Sequence, residues 1–118
     1  MIQIPISITC SFSNTIPFSI ISFIFIFIEE GDTLEKYGID AKILAFPGHT
    51  YGSIGLDVGG KDLIVGDALM NFLKPSLSLI YHDRDVMLKS AERIKNIGHR
   101  TIWFGHGNPV DSSKIQNL

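Results

Sequence analysis

Phe46-Pro47-Gly48-His49-Thr50-Tyr51-Gly52-Ser53-Ile54-Gly55-Leu56 is the stretch whose reading decides the fold of this 118-residue chain. An apolar run leads into it, Pro47-Gly48 ends that run, and an imidazole follows at once. The same grammar returns twice, in Ile64-Val65-Gly66-Asp67 and in Trp103-Phe104-Gly105-His106. Strand ends are where layered folds display a site, because a rigid strand aims the loop that follows it. Glycine before the polar residue lets the backbone turn sharply and leaves room for an ion. Histidine nitrogen and carboxylate oxygen are ligands that borderline divalent metals accept. One Gly-His at a strand end is usually only a turn. Three such exits in one short chain make a joint case for a metal site at His49, Asp67 and His106.

Working outward, residues 39–46 alternate as a strand, with Ile39, Ala41, Ile43 and Ala45 on one side. Residues 53–58 read as a second strand and residues 62–65 as a third. Gly59-Gly60-Lys61 between them is a hairpin signal, and Gly66 breaks the third strand just before Asp67. Before all of these, residues 29–32 read as a polar turn and residues 34–38 as a short link turning at Gly38. Residues 71–82, with Pro75 and alternating serines, read as a loop. Asp83 or Asp85 caps a helix in which Met87, Leu88, Ala91, Ile94 and Ile97 share an apolar face. Lys89, Glu92, Arg93, Lys95 and Asn96 populate the other face, and Gly98 stops the helix. Residues 101–104 (TIWF) read as a short buried strand with Trp103 in the core, and a mostly polar tail follows from Asp111. There are no internal repeats.

The run from Phe46 to Leu56 resembles the Pro-Gly-His-Thr-x-Gly-Ser segment of metallo-β-lactamase-fold hydrolases. Gly66-Asp67 with Ala68-Leu69 is similar to that family's Gly-Asp segment, and Gly105-His106-Gly107 to its C-terminal Gly-His-Gly. Order and spacing agree, and the resemblance covers roughly residues 29–110. It implies an α+β fold: part of an αββα sandwich, roughly its C-terminal half, with one mostly antiparallel sheet and one main helix. It also implies a two-metal hydrolase site, with His49 completing the shell of one metal, Asp67 bridging, and His106 on the second. Thr50 and Ser53 would orient the loop by hydrogen bonds. Zinc is the expected metal, with manganese or iron as alternatives. Tyr51 stands where the family often has proline and reads as a surface aromatic.

The departure is large. No histidine precedes His49, so the family's first ligand cluster, a His-x-His-x-Asp-His segment, is absent. Neither metal would keep more than two ligands from this chain, whereas a catalytic zinc has three protein ligands plus water. The expectation is therefore a truncated or rearranged metal-dependent hydrolase, weak or inactive alone. The alternative is a non-catalytic fragment, or a subunit completed by a partner chain or by a homodimer. Substrate is not legible, because this scaffold hosts cleavage of lactams, thioesters, lactones and phosphoesters.

Composition divides the chain at residue 28. Residues 1–28 contain no charged residue and no Gly, Leu, Val or Ala; their apolar content is nearly all Ile and Phe. We read residues 1–28 as an atypical Ile/Phe/Ser-rich segment that replaced an original N-terminal half, and residues 29–118 as the half domain. Ile/Phe alternation in residues 23–28 favours a strand, used to cover the half domain's open sheet face. A membrane-associated segment and an aggregation-prone tail stay open. A signal peptide is not indicated, since the first basic residue is Lys36. Net charge is −2, which gives no reason to expect nucleic-acid binding. The one cysteine, Cys10, excludes an internal disulfide and a Cys-rich zinc site, and the cytoplasm is the simplest compartment. Among the remaining polar residues, His82, Asp83 and Asp85 read as a helix entrance. His99 reads as a helix-end cation, and Asp40, Asp57 and Asp62 as solvated strand residues.

Overall fold

The computed structural model describes residues 2–8 and 22–118, with side chains from Ile26 onward. Nine strands and one α-helix follow in the order β1 (Ile2–Ile8), β2 (Ser22–Ile28), β3 (Ala41–Ala45), β4 (Ile54–Val58), β5 (Asp62–Gly66), β6 (Leu69–Asn71), β7 (Pro75–Leu77), α1 (Arg84–Asn96), β8 (Thr101–Phe104) and β9 (Val110–Asp111). Short 3-10 turns at Glu35–Tyr37 and Ser112–Ile115 complete the description. The central sheet runs β3-β4-β5-β8-β9. Its pairs are antiparallel except β5 with β8, which run parallel. The expected mostly antiparallel sheet with one main helix is therefore what forms.

Each element has a local cause. Gly59 and Gly60 take left-handed φ values of 57° and 63°, the geometry of the tight turn that matches strand twist. Asp83 caps α1, its Oδ1 accepting from the Val86 N–H at 3.0 Å. Met87, Ala91 and Ile94 are buried on one helix face. Ala91 and Ile94 meet the side of the sheet that carries Leu44, Phe46, Leu63, Val65 and Ile102, with Leu69 and Ile115 closing the core.

The other side of the sheet is a second apolar face. Register places Ile43, Leu56, Ile64 and Trp103 in one row across it. Ile43 is buried, but Ile64 is 40% and Trp103 44% exposed. Trp103 thus points away from the core, contrary to the sequence reading; strand alternation gives the inside to Ile102. Its indole Nε1–H donates to Asp62 Oδ1 at 2.8 Å, which satisfies the polar end of an exposed ring.

Four further expectations need correction. Ile39 lies before β3 and is exposed, so the first strand is shorter than the alternation suggested. Residues 71–82 are not simply a loop, because β6 and β7 pair as a separate antiparallel hairpin. The strand reading of residues 23–28 holds, but β2 joins β1 in its own two-stranded ribbon, and the sheet face it was expected to cover stays open at Ile64 and Trp103.

The fourth is Asp57, which is not a solvated strand residue. Arg100 donates to it from Nε to Oδ1 (2.9 Å) and from Nη2 to Oδ2 (3.1 Å), both side chains being four-fifths buried. The carboxylate raises the Arg100 pKa further above its ordinary value, chiefly through this hydrogen bonding. The fork ties β4 to the start of β8 over the intervening β5. Removing one partner of a largely desolvated pair leaves the other uncompensated. Asp57→Ala should therefore cost about 1–3 kcal/mol, the penalty of an orphaned polar group. Urea unfolding of Asp57→Ala, Arg100→Ala and the double variant checks this, and additive losses would refute the coupling.

Candidate metal centre

His49, Asp67 and His106 come from three different strand exits and meet at one edge of the sheet. His49 follows the turn after β3, Asp67 the end of β5, and His106 the end of β8. The parallel pairing of β5 with β8 brings Asp67 beside His106, and Gly105 N–H donates to Gly66 O at 2.8 Å to fix the two exits together. His106 Nδ1 lies 2.8 Å from Asp67 Oδ1. His49 Nε2 lies 3.9 Å from Asp67 Oδ2. The carboxylate thus stands between two imidazoles and offers one oxygen to each.

The three glycines that precede these residues act in different ways. Gly48 has φ 136° and packs so closely on α1 that a Cβ there would run into the Met87 backbone. Its carbonyl accepts from the His82 (2.7 Å) and Asp83 (3.2 Å) N–H groups, so the His49 turn is bolted to the helix entrance. Gly66 turns the chain at φ 57°. Gly105 makes room sideways, because a Cβ there would strike Asp67 Oδ1.

Thr50 and Ser53 bond one another (Oγ1 to Oγ, 2.8 Å), and Thr50 N–H donates to Ser53 Oγ at 3.1 Å, closing the His49 loop on itself. Tyr51 is 74% exposed, as expected of a surface aromatic, and meets the His82 ring edge-on at 4.3 Å. His99 pairs with Asp111 at 2.8 Å, and Trp103 points from the second sheet face; neither is part of the cluster.

Three polar residues that bond to the loops of the site were not singled out in the sequence. Asn71, at the end of β6, donates from its backbone to His106 O (2.9 Å) and from Nδ2 to Asn108 O (2.8 Å). Ser90, on the buried face of α1, donates to Pro47 O at 2.6 Å. Ser78, just past β7, is buried, donates to Ile80 O at 2.8 Å and lies 3.2 Å from His49 Nδ1. A serine or asparagine carries no local mark of such contacts, since His106, Pro47 and His49 lie far along the chain from Asn71, Ser90 and Ser78.

The donor chemistry suits a divalent cation. His49 Nδ1 approaches the Ile80 carbonyl at 2.5 Å. A carbonyl only accepts, so the neutral ring is assigned its proton on Nδ1 and an unshared pair on Nε2. Nε2 and Asp67 Oδ2 are then two acceptors facing across a gap. Metal–ligand bonds of about 2.0–2.2 Å on either side would bridge such a gap. The number of donors is short. Among the described residues, no three His, Cys, Asp or Glu side chains stand together as a set able to hold an ion.

A hydroxyacylglutathione hydrolase from Crocosphaera subtropica is 30% identical to the chain in a 99-residue alignment that covers 76% of this chain and 37% of that protein. A metallo-β-lactamase family protein from Thermus thermophilus superposes with a TM-score of 0.62 at 26% identity, over 77% of this chain and 33% of its own. The chain has part of the metallo-β-lactamase superfamily's fold. An archaeal metallo-β-lactamase superfamily protein from Sulfolobus tokodaii shares the fold at 17% identity, with a TM-score of 0.64 over 78% of this chain and 37% of that one. TTHA1623, solved in a di-iron-bound form, does so at 22% identity, with a TM-score of 0.60 over 73% and 42%. No family model matches. The chain spans less than half the length of the relatives it matches. Among its described residues, no helix is long and apolar enough to cross a membrane.

Proposed function

We propose that the chain carries part of a metal-dependent hydrolase site, in which His49 and Asp67 hold one divalent ion and Asp67 and His106 a second. The observation that supports it most is the direction of the two Asp67 oxygens, Oδ1 toward His106 and Oδ2 toward His49. When bound, such ions bring the pKa of a bridging water toward neutrality and polarise the scissile carbonyl or phosphoryl group. The residues of this chain that would hold the ions are His49 through Nε2, Asp67 through its carboxylate, and His106 through an imidazole that is hydrogen-bonded to Asp67 here. Zinc is the expected ion, and iron is the leading alternative because TTHA1623 was solved with two irons. Ester and thioester substrates head the order of preference, since the relative from Crocosphaera subtropica is a hydroxyacylglutathione hydrolase.

Two ligands per ion fall short of the usual three or four. We take residues 29–118 as the family half domain and residues 1–28 as foreign to it. The remaining ligands would come from a complementing chain or a second copy of this one, in the cytoplasm. The 118-residue protein alone is expected to turn over substrate poorly. The second reading, a chain that holds no metal and catalyses nothing, draws on the lack of any ready three-ligand set among the described residues.

Zinc competition with a chromophoric chelator separates these readings. On the first, each protein molecule binds one or two ions, and His49→Ala and His106→Ala each weaken binding by tenfold or more. Binding that neither substitution changes would leave only the second. Robust metal-dependent hydrolysis by the isolated chain would instead overturn the need for a partner.

A further inference from the structure

We propose that Ser78 is a positioning residue for His49: it pins the Ile80 carbonyl against Nδ1 and so commits the ring to the tautomer that presents Nε2 to Asp67. The role rests on the metal-site reading for its use, but its geometry stands apart from it.

Ser78 follows β7 directly, and its side chain is enclosed while its neighbours Leu79 and Ile80 are exposed. Its hydroxyl proton goes to Ile80 O at 2.8 Å. With that proton committed, Oγ can only accept from the His49 ring, 3.2 Å away. The His49 Nδ1–H is thereby shared between Ile80 O (2.5 Å) and Ser78 Oγ (3.2 Å). Both acceptors lie on the same short turn, and the hydroxyl ties one to the other. An exposed three-residue turn has few contacts to hold its carbonyl still, so the buried hydroxyl supplies the missing restraint. The other end of the same hairpin holds the second histidine, because Asn71 on β6 donates to His106 O. One hairpin therefore reaches both imidazoles, and Ser78 is where it grips the first. Partners of this kind, bonded to the far nitrogen of a ligand histidine, fix its tautomer and orientation.

Nitrogen-15 NMR of the metal-free protein, followed across a pH series to the plateau where the His49 shifts stop changing, reads the tautomer directly. The His49 resonances are assigned by their loss in His49→Ala. The wild type is expected to show a single form with the proton on Nδ1. Ser78→Ala is expected to show exchange between tautomers, and to bind Zn²⁺ more weakly by about 10–100-fold. Ser78→Thr keeps the hydroxyl and should retain the wild-type pattern. A wild-type ring protonated on Nε2 overturns the proposal even if no variant folds. So does an unchanged His49 spectrum in a folded Ser78→Ala protein. If the wild type binds no Zn²⁺ while the tautomer shifts as expected, the metal reading fails and the Ser78 role survives.

Discussion

Phe46→Ala should lower the unfolding free energy by about 3–5 kcal/mol, the usual cost of deleting a buried aromatic ring. That is a large part of the roughly 5–15 kcal/mol that holds a domain together. Phe46 is fully buried and belongs to the core between sheet and helix. Its ring lies where a side chain on Gly55 would be, so β4 and the ring are fitted to one another. The Arg93 guanidinium stands over the same ring at 5.9 Å and donates to Ala45 O at 3.1 Å. Alanine would empty a site that neighbours on both sides are shaped to enclose. Phe46 immediately precedes Pro47-Gly48-His49, so the loss falls at the end of the strand that leads into the first histidine. Urea denaturation measures the loss. A cost under about 1 kcal/mol would mean that the sheet and helix collapse into the gap, and that the core is not packed as described.

Gly107→Ala should be the most damaging single methyl at the site. Gly107 has φ 103°, a backbone region in which a side chain costs about 1–3 kcal/mol. A Cβ there would also fall inside the Asn71 carbonyl, and overpacking of that kind costs about as much again. The chain can relieve it only by parting β6 from the His106 loop, which breaks the Asn71 N–H to His106 O bond of 2.9 Å. His106 then loses its setting against Asp67. Gly60→Ala is the matched control, since Gly60 also has positive φ, at 63°, but open space around its would-be Cβ. Gly107→Ala should exceed it in lost stability and also weaken Zn²⁺ binding, which Gly60→Ala should leave alone. Equal effects on both counts would show that the close approach to Asn71 does not constrain the loop.

The parts of this molecule that local chemistry specifies could be read directly from the residues. The Gly59-Gly60 hairpin, the Asp83 cap and the apolar stripe of α1 each depend on neighbours within a few positions, and each forms. The meeting of His49, Asp67 and His106 was also legible, because all three follow a glycine at the end of an apolar run. What could not be read depends on pairings far apart in sequence. Asp57 and Arg100 are 43 positions apart, and nothing near either announces the other. In Thr101–Phe104 every residue is either large and apolar or β-branched, so alternation alone could not say whether Ile102 or Trp103 faces the helix. Pro75 argued against a strand, yet it begins β7 at the edge of a two-stranded hairpin, where a missing N–H is tolerated.

The parallel contact between β5 and β8 also sets an order of events. Strands β3, β4 and β5 can form from short antiparallel turns, which close quickly. Joining β8 to β5 requires the chain to return after β6, β7 and α1, so that Asp67 and His106 meet across 39 positions. Closing that excursion is the entropically costly step, and non-local pairing of this kind slows folding. The meander β3-β4-β5 alone carries His49 and Asp67, and only the pairing of β8 adds His106. The contact between Asp67 and His106 therefore depends on the one parallel pairing of the central sheet, and whatever loosens β8 from β5 parts those two side chains first.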